Sequence, residues 1–554
     1  MNKKVCSFPL LFALLALLIG TCAVVFPASA QAAPTSNGSI TVSGTVASSY
    51  DAYQIFSANV VDGDNDAKIA TDLAWVSDAV RDAALPVLHG AGMPKSQTTA
   101  QEAAEWLNTD SHLTSALSAQ LARSLQSSGA VSMALNAGRA AELSCGYWLI
   151  VADDDAISQN EAGTAPIMAL VGGSAVTVKP KAATPKVQKH VLEDSTAAWQ
   201  KAADATVADD LYWRLSATVP AGLTAYDTYT VQFVDTMSAG LDPSKVAASM
   251  RVYVAAGADG GFDAVSAGKD GRAGTESAKG WTDITAQCRV SVDGKTFTVR
   301  TGDLIAALGG ADAFTAGARV VAVYNAPLNS ACSHGIAKGN PNEAYLRYPR
   351  SPFADQSGDA GFTRTPSDDA CVYTWDLALI KRGSDGDKPL AGAVLSIADD
   401  RGRTLAADGT WDAEGKATVA TGEDGRVTVS GVDSGKLEVR ELKAPKGYTA
   451  FEGTRSVTVK AEGLDVGQVA AAKPKLTVTA ESPLRADSAD GSTGSLEASL
   501  INTPTGTPPS ITTGGFMPST GDMAMYAAAA AAVAGAALIV VALLVKRGGG
   551  SHKE

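Results

Sequence analysis

The sequence predicts a mostly β protein built from tandem Ig-like β-sandwich domains, the first of which carries a helical insertion. Two observations support this fold class. Short apolar strands alternate with Gly- and Asp-rich turns over most of the 554 residues, a pattern typical of sandwiches, and helical periodicity is confined to one stretch near the N-terminus. Because a single hydrophobic core does not grow to this size, we expect about three folded domains.

Both ends of the chain carry targeting segments. Residues 1–30 combine a basic start, an apolar run and a small-residue cleavage site, which indicates a secretory signal peptide. Residues 524–545 form an uncharged apolar run that is long enough for a C-terminal transmembrane helix in the precursor, and the polar tail 546–554 begins with two basic residues, typical of the cytoplasmic side. Everything between these segments is therefore expected outside the cell.

Three β domains are predicted between the two ends. The first, residues 34–178, contains strand patterns and a helical stretch in which Leu113, Leu117, Leu121 and Leu125 repeat every fourth residue. A Lys- and Pro-rich connector leads to a second sandwich over 183–353. A stretch rich in Pro, Gly and Ser separates this from a third sandwich over 373–503, and the linker 504–516 follows.

The composition argues against several classes of function. The chain has a formal net charge of −13 at pH 7, which disfavours nucleic acid as a partner. No phosphate-binding loop, His-Glu-x-x-His or Gly-x-Ser-x-Gly motif is present. The acidic stretch 62–66 has Ala67 where a calcium loop requires glycine, so it is interpreted as a turn. We therefore expect no cofactor, no metal and no enzyme acting on an external substrate.

Four cysteines remain once the signal peptide is removed: Cys145, Cys288, Cys332 and Cys371. In an oxidising exterior they allow three disulfide pairings, among which the sequence does not choose. Cys288 with Cys332 is favoured because both lie in the predicted second domain.

Two predicted strands place a lysine where an apolar residue is expected. Strict alternation puts Lys189 on the same face as Val187 and Val191, and Lys381 continues the face of Leu377 and Leu379. Both lysines are therefore predicted to point into a core.

Acids and amides repeat the anomaly in the same two domains. Asp235 and Glu441 each follow apolar residues at a period of two. Asn502 extends the apolar face of the last strand of the third domain. Asn329 closes a strand of the second domain, where Asn325 is an alternative.

Burial of a lysine beside an acid favours the neutral forms of both groups. A neutral amine held against a side-chain amide is a nucleophile in near-attack geometry, and the acid can shuttle protons until ammonia leaves. The predicted products are two intramolecular isopeptide bonds, Lys189–Asn329 and Lys381–Asn502, with Asp235 and Glu441 as autocatalytic acids.

These motifs resemble those of Gram-positive surface proteins. The third domain resembles the Cna B-type repeat. The resemblance rests on Lys381, on the stretch Glu441-x-x-Ala-Pro-x-Gly-Tyr448 and on Asn502-Thr-Pro504. In that family the Glu-x-x-Ala-Pro-x-Gly-Tyr stretch supplies the catalytic acid. The second domain resembles the fimbrial isopeptide-forming domain. The resemblance rests on Lys189, on the stretch that begins Val234-Asp235-Thr236, and on the stretch from Tyr324 through Asn329 to Gly339-Asn-Pro-Asn.

The C-terminal segment resembles a cell-wall sorting signal. Residues 517–521 read Met517-Pro518-Ser519-Thr520-Gly521, where Leu-Pro-x-Thr-Gly is the usual form, and the apolar run and basic tail follow. The resemblance implies that a sortase cleaves between Thr520 and Gly521. Backbone pilins carry a nucleophilic lysine in a Val-Tyr-Pro-Lys motif, which implies Lys181 in this chain, with Lys179 and Lys186 as alternatives on the same connector.

Taken together, the resemblance implies the backbone subunit of a sortase-assembled pilus, located on the cell surface and anchored to the wall. The implied partners are a sortase, neighbouring copies of the chain, peptidoglycan, minor pilins and host surface ligands. The alternative function is a non-polymerising, wall-anchored adhesin or minor pilin, in which only the cleaved Thr520 is used.

Overall fold

The computed structural model describes residues 37–109, 111–180, 184–207, 209–221, 223–257 and 280–506. These residues form three consecutive β-rich domains, which confirms the predicted fold class. The predicted signal peptide, the sorting motif, the transmembrane helix and the tail lie outside the described residues. Among the helices that the structure describes, none is both long and apolar enough to cross a membrane.

The first domain contains eight described strands in two sheets and three helices. Strands β5, β1 and β8 form a three-stranded sheet, and the second sheet has the order β3-β2-β6-β7 with β4 also paired to β2. The elements are β1 Asn37–Val42, β2 Ser49–Asp62, β3 Lys68–Trp75, α1 Asp78–Gly90, α2 Ala100–Asn108, α3 Ser115–Ser127, β4 Ser132–Asn136, β5 Ala140–Ser144, β6 Gly146–Ala152, β7 Ile167–Val171 and β8 Val176–Val178.

The predicted helical insertion lies between β3 and β4. Its apolar faces pack on the larger sheet, where Leu117, Leu121 and Leu125 of α3 are buried. Thr99 and Glu102 form a capping box at the start of α2, since each side chain accepts a hydrogen bond from the other residue's backbone N–H. Residues 71–75 pair with β2 as part of β3, so the first helix begins only at Asp78.

The second domain is a sandwich of two large sheets. One sheet has the order β10-β9-β12-β18-β14-β15, and the other has the order β11-β21-β19-β13-β17-β16 with β20 also paired to β19. The elements are β9 Val187–Glu193, β10 Ala198–Gln200, β11 Ala202–Asp204, β12 Tyr212–Thr218, β13 Gln232–Met237, α4 Val246–Ser249, β14 Arg251–Ala255, β15 Trp281–Asp283, β16 Arg289–Asp293, β17 Thr296–Arg300, α5 Leu304–Ala307, β18 Arg319–Asn325, β19 Asn340–Pro349, β20 Phe362–Arg364 and β21 Asp368–Tyr373.

The predicted linker between the second and third domains is wrong. The second domain does not end at residue 353, because β20 and β21 both pair with β19 and β21 also pairs with β11. The Pro, Gly and Ser residues that suggested a linker lie mainly in the turns around these two short strands. Only Thr374 separates β21 from the first strand of the third domain.

The third domain is a smaller sandwich whose first and last strands are neighbours. Its sheets have the orders β27-β22-β33-β29, with β32 on β33, and β25-β24-β23-β28-β30-β31, with β26 on β23. The elements are β22 Trp375–Gly383, β23 Val394–Ala398, β24 Thr404–Leu405, β25 Trp411–Asp412, β26 Val419–Ala420, β27 Arg426–Val432, β28 Gly435–Lys443, β29 Tyr448–Thr449, β30 Thr454–Glu462, β31 Lys475–Ala480, β32 Leu484–Asp490 and β33 Ser495–Pro504. Strands β22 and β33 pair in parallel along eight residue pairs.

Polar contacts fix the second domain to the third. The buried carboxylate of Asp204 accepts hydrogen bonds from the indole of Trp375, from the backbone N–H of Ser434 and from the Ser434 hydroxyl, each at 2.7 Å. Arg403 forms a two-pronged ion pair with Asp209, with N–O distances of 2.5 and 2.9 Å. Bidentate and charge-assisted contacts of this kind are among the stronger hydrogen bonds in proteins.

Candidate functional site

The third domain brings Lys381, Glu441 and Asn502 together in its core. Lys381 on β22 pairs with Leu500 on β33, and Asn502 lies two residues further along β33, on the same face. Glu441 reaches the pair from β28, in the facing sheet. The amine and the amide therefore belong to one sheet, and the acid comes from the other.

The three groups are in direct contact. Lys381 Nζ donates to Asn502 Oδ1 at 2.5 Å, and Asn502 Nδ2 donates to Glu441 Oε1 at 2.9 Å. The same Glu441 oxygen lies 3.2 Å from Lys381 Nζ. The other oxygen, Oε2, accepts from the backbone N–H of Phe451 at 3.0 Å, which orients the carboxyl group. One carboxyl oxygen is thus within reach of both the Lys381 amine and the Asn502 amide nitrogen.

The surroundings of this site favour an uncharged lysine. The side chains of Lys381 and Glu441 have no solvent exposure, and the centre of the Phe451 ring lies 5.3 Å from Nζ. Burial lowers the pKa of Lys381 to about 8, although the Glu441 carboxyl opposes the shift. The neutral, nucleophilic amine is therefore far more populated near neutral pH than in an ordinary lysine, although the protonated form still predominates below pH 8.

The second domain holds a related cluster around Lys189. Lys189 Nζ on β9 contacts Asp235 Oδ2 on β13 and donates to the Tyr324 hydroxyl at 2.7 Å. That hydroxyl in turn donates to Asp235 Oδ2 at 2.8 Å. Lys189, Asp235 and Tyr324 are all fully buried, and the centre of the Trp213 ring lies 5.3 Å from Nζ. As predicted, Lys189 and Asp235 form a pair inside the core.

The amide at this cluster is Asn342, not Asn329. Asn342 is fully buried, and its Nδ2 donates to Tyr324 Oη at 3.0 Å. Asn329 lies instead in the loop after β18, where its amide donates to the carbonyls of Ala239 and Leu241. Asn325, the alternative, binds the backbone N–H of Leu211 and the carboxylate of Asp210. Strand β18 ends at Asn325, so Asn329 does not continue its inward face.

The same kind of sequence signal that marks Asp235 also marks Asn342. Asn342, Ala344, Leu346 and Tyr348 are all buried and alternate along β19, so Asn342 is a polar residue in an apolar series with a period of two. Tyr324 has no comparable signal, because a buried tyrosine resembles ordinary core.

Lys201 and Asp368 brace the strand that carries Lys189. Lys201 Nζ donates to the backbone carbonyl of Lys189 at 2.8 Å and contacts Asp368 Oδ2, which accepts from the backbone N–H of Lys189 at 2.7 Å. Sequence reasoning did not predict this pair, because it assigned β21 to a linker.

Burial shifts both partners of the Lys189–Asp235 pair toward their neutral forms. It lowers the pKa of Lys189, with Asp235 opposing, and it raises the pKa of Asp235, with Lys189 opposing. Asp235 Oδ1 and Asn342 Oδ1 have no hydrogen-bond partner among the described residues. The cluster therefore has one carboxyl oxygen and one amide carbonyl that are not engaged elsewhere.

The other predicted site residues do not gather around these clusters. Cys288 and Cys332 do not form the favoured disulfide: the Cys288 thiol donates to the Ile284 carbonyl, and the Cys332 sulfur lies beside His334. Lys181 and residues 517–521 lie outside the described residues, whereas Lys179 and Lys186 are exposed. Within the described ranges, no group of three or more His, Cys, Asp or Glu side chains is arranged to hold a metal ion.

Comparisons with known proteins find similar domains and chains among surface proteins of Gram-positive bacteria. The family model of the SpaA prealbumin-like fold domain matches residues 376–473, which include Lys381 and Glu441. The predicted resemblance to Gram-positive pilins is confirmed. The trypsin-resistant surface T6 protein of Streptococcus pyogenes serotype M6 is 31% identical over 143 residues, or 24% of each chain. The chain thus spans about a quarter of the length of that curated relative.

Several solved structures are also similar to this chain. The T6 backbone pilin of serotype M6 Streptococcus pyogenes aligns over 86% of this chain and 100% of its own, with 17% identity and a TM-score of 0.46. The full-length major pilin SpaD of Corynebacterium diphtheriae aligns over 85% of this chain and 98% of its own, with 16% identity and a TM-score of 0.40.

Proposed function

We propose that this protein is the structural shaft subunit of a covalently polymerised pilus anchored to the cell wall. The observation that carries the proposal is the pair of buried Lys–acid–Asn clusters, one in each of two consecutive sandwiches. A shaft transmits tension from subunit to subunit, and a covalent bond between strands keeps a domain closed under such a load.

Each cluster has the components for one self-catalysed isopeptide bond. In the third domain, Lys381 Nζ attacks the side-chain carbonyl carbon of Asn502, the new C–N bond forms, and the Asn502 nitrogen leaves as ammonia. Glu441 supports both steps, since Oε1 lies 3.2 Å from the amine and 2.9 Å from the leaving nitrogen. It takes the proton from the amine and delivers a proton to the leaving group. The reaction happens once per domain and consumes no external substrate.

The second domain would form its bond between Lys189 and Asn342, with Asp235 as the acid. Tyr324 links all three groups, because its hydroxyl accepts from Lys189 and Asn342 and donates to Asp235. The amine lies on β9 in one sheet, whereas the amide lies on β19 in the other. This bond would tie the two sheets across the core.

Assembly of the shaft would use the two ends of the mature chain. A sortase would cleave after Thr520 and hold the new carbonyl as a thioester until Lys181 of the next subunit displaces it. Chains at the base would be joined to peptidoglycan, and minor pilins and host ligands would be accessory partners. The similarity to the surface T6 protein supports a cell-surface location.

Intact mass spectrometry of the secreted ectodomain tests the internal chemistry. We expect the mass to fall short of the unmodified formula by two ammonia molecules, about 17 Da for each bond. An ectodomain at its unmodified mass would contradict the internal cross-links.

Co-expression of the full chain with a pilus-forming sortase tests the assembly. Covalent polymers appear as a high-molecular-weight ladder on a denaturing gel. Lys181→Ala should abolish this ladder, and Lys179→Ala and Lys186→Ala, on the same connector, should not. A wild-type chain that is anchored but never forms a ladder would favour the non-polymerising adhesin.

A further inference from the structure

A cysteine, a histidine and an aspartate line up where the second domain meets the third. Cys332 and His334 lie in the loop between β18 and β19, and the Cys332 sulfur is 3.4 Å from His334 Nε2. On the other side of the ring, Nδ1 lies 2.7 Å from Asp376 Oδ2, and Asp376 belongs to β22 of the third domain. The imidazole therefore bridges a thiol of one domain and a carboxylate of the next.

The loop that carries the thiol is held on both sides. The buried side chain of Asn340 accepts from the Ser333 N–H and donates to the Ser333 carbonyl, both at 2.8 Å. The Gly335 N–H donates to the Thr374 carbonyl at 3.0 Å. Gly335 has a φ of +76°, which favours glycine. A Cβ added at this position would lie 2.5 Å from the carbonyl carbon of Thr493, so the loop backbone packs directly against the backbone of the third domain. The Cys–His–Asp arrangement is thus a fixed part of the joint.

His334 places a positive charge beside the Cys332 sulfur. The Asp376 carboxylate, followed by the Cys332 sulfur, raises the pKa of His334 to about 10, so the ring is an imidazolium at neutral pH. Burial alone would raise the pKa of Asp376, but the contacts with His334, Ser430 and the Gly431 N–H together outweigh it, and the net shift is downward. A fixed cation beside a cysteine sulfur stabilises the thiolate, which is the nucleophilic form.

Two other cysteines of the mature chain have the opposite surroundings. Burial raises the pKa of Cys288 and that of Cys371 to about 11. The Cys288 thiol donates to the Ile284 carbonyl at 3.3 Å, and Cys371 is almost fully buried. Cys332 is partly exposed and lies beside a cation, which are the two features that distinguish reactive from structural cysteines.

We propose that Cys332 is a covalent modification site that takes a low-molecular-weight disulfide by thiol–disulfide exchange, with His334 as its ion-pair partner and Asp376 as the positioning residue. The Cys332 thiolate attacks one sulfur of the small disulfide R–S–S–R, the protein–S–S–R bond forms, and the other sulfur leaves as the thiolate R–S⁻. The disulfide is the oxidant, and no further reagent is needed. Small disulfides persist in an oxidising exterior, which is where the proposed function places this chain. The site is independent of the proposed internal cross-links.

A chromogenic aromatic disulfide tests the proposal on the folded ectodomain. We expect one fast equivalent of coloured thiolate and, after proteolysis, the adduct on the peptide that contains Cys332. Cys332→Ser should remove the fast equivalent, whereas Cys288→Ser should leave it unchanged. Labelling of Cys332 no faster than that of a free cysteine would overturn the proposal.

The pH profile separates a chemical role of His334 from a structural one. In wild type the exchange rate should already be high at neutral pH, because His334 places a cation beside the sulfur. In His334→Asn it should be roughly tenfold slower at neutral pH and should rise toward the ordinary cysteine value near 8.5. Asp376→Asn should give an intermediate rate with an unchanged melting temperature. Identical profiles in wild type and His334→Asn would also overturn the proposal.

Discussion

Asn342 and Asp235 lie on one face of the same antiparallel ladder. Asp235 pairs with Ala344, and Asn342 lies two residues before Ala344, so both side chains point into the core of the second domain. Lys189 approaches them from the facing sheet. In the third domain, by contrast, the amine and the amide lie in one sheet and the acid lies in the facing sheet. The two domains thus bring together the same three groups, an amine, an acid and an amide, from different strands.

The first prediction concerns which asparagine reacts in the second domain. Asn342→Ala should remove one of the two ammonia deficits, raising the ectodomain mass by about 17 Da relative to the cross-linked protein after correction for the substitution. Asn329→Ala should keep both deficits, because its amide binds backbone groups of nearby loops: it donates to the carbonyls of Ala239 and Leu241 and accepts from the N–H of Ala331. Intact mass and peptide mapping decide between them. A deficit lost in Asn329→Ala and kept in Asn342→Ala would reverse the assignment.

The second prediction concerns the acid of the third domain. Glu441→Gln keeps the shape of the side chain but removes the proton acceptor, so Lys381 and Asn502 should stay unlinked. By analogy with a disulfide closing a loop of similar length, losing the bond should lower the free energy of unfolding of this domain by about 4 to 5 kcal/mol. Urea unfolding and intact mass measure the two effects. Glu438→Gln is the matched control, since Glu438 lies on the same strand and is half exposed. A Glu441→Gln protein that still lacks both ammonia molecules would refute the role.

The third prediction concerns Tyr324, which connects every group of the second-domain cluster. Tyr324→Phe removes the hydroxyl but keeps the ring, so the bond should form slowly and newly secreted protein should show a mixture of linked and unlinked masses. The third-domain bond should be unaffected. Tyr345→Phe, a half-buried tyrosine on β19, should behave as wild type. Complete linkage in Tyr324→Phe at the earliest sampling time would exclude a role in the reaction.

Sequence periodicity predicted those parts of the site in which polar residues interrupt an apolar strand. Lys189, Lys381, Asp235, Glu441 and Asn502 each break an alternating pattern, and each is buried where the alternation places it. Alternation within a strand says nothing about which strands are neighbours. The parallel pairing of β22 with β33 is a tertiary feature, and so is the approach of Glu441 from the facing sheet.

The incorrect predictions have a common physical cause. Strands β20 and β21 are short and separated by turn residues, so local composition resembles a linker, although pairing with β19 holds them in the sheet. Asn329 follows Tyr324 closely in sequence, but the chain leaves the strand after Asn325. The favoured Cys288–Cys332 disulfide relied on shared domain membership, which does not determine whether two sulfurs meet. In each case tertiary pairing decided the outcome.

The last prediction uses the pH dependence of a third domain that lacks its bond. In Asn502→Ala the amine of Lys381 stays free and buried, with a pKa of about 8 in the folded state against about 10.4 in the unfolded chain. Below pH 8 the lysine is protonated in both states, so the full penalty of burying its charge is present. Between these two values the unfolded chain binds more protons than the folded one, so stability must rise with pH. Urea unfolding of Asn502→Ala from pH 7 to 10 should show this rise. The same series with Lys381→Met added should not, and equal slopes in the two proteins would show that Lys381 is not the titrating group.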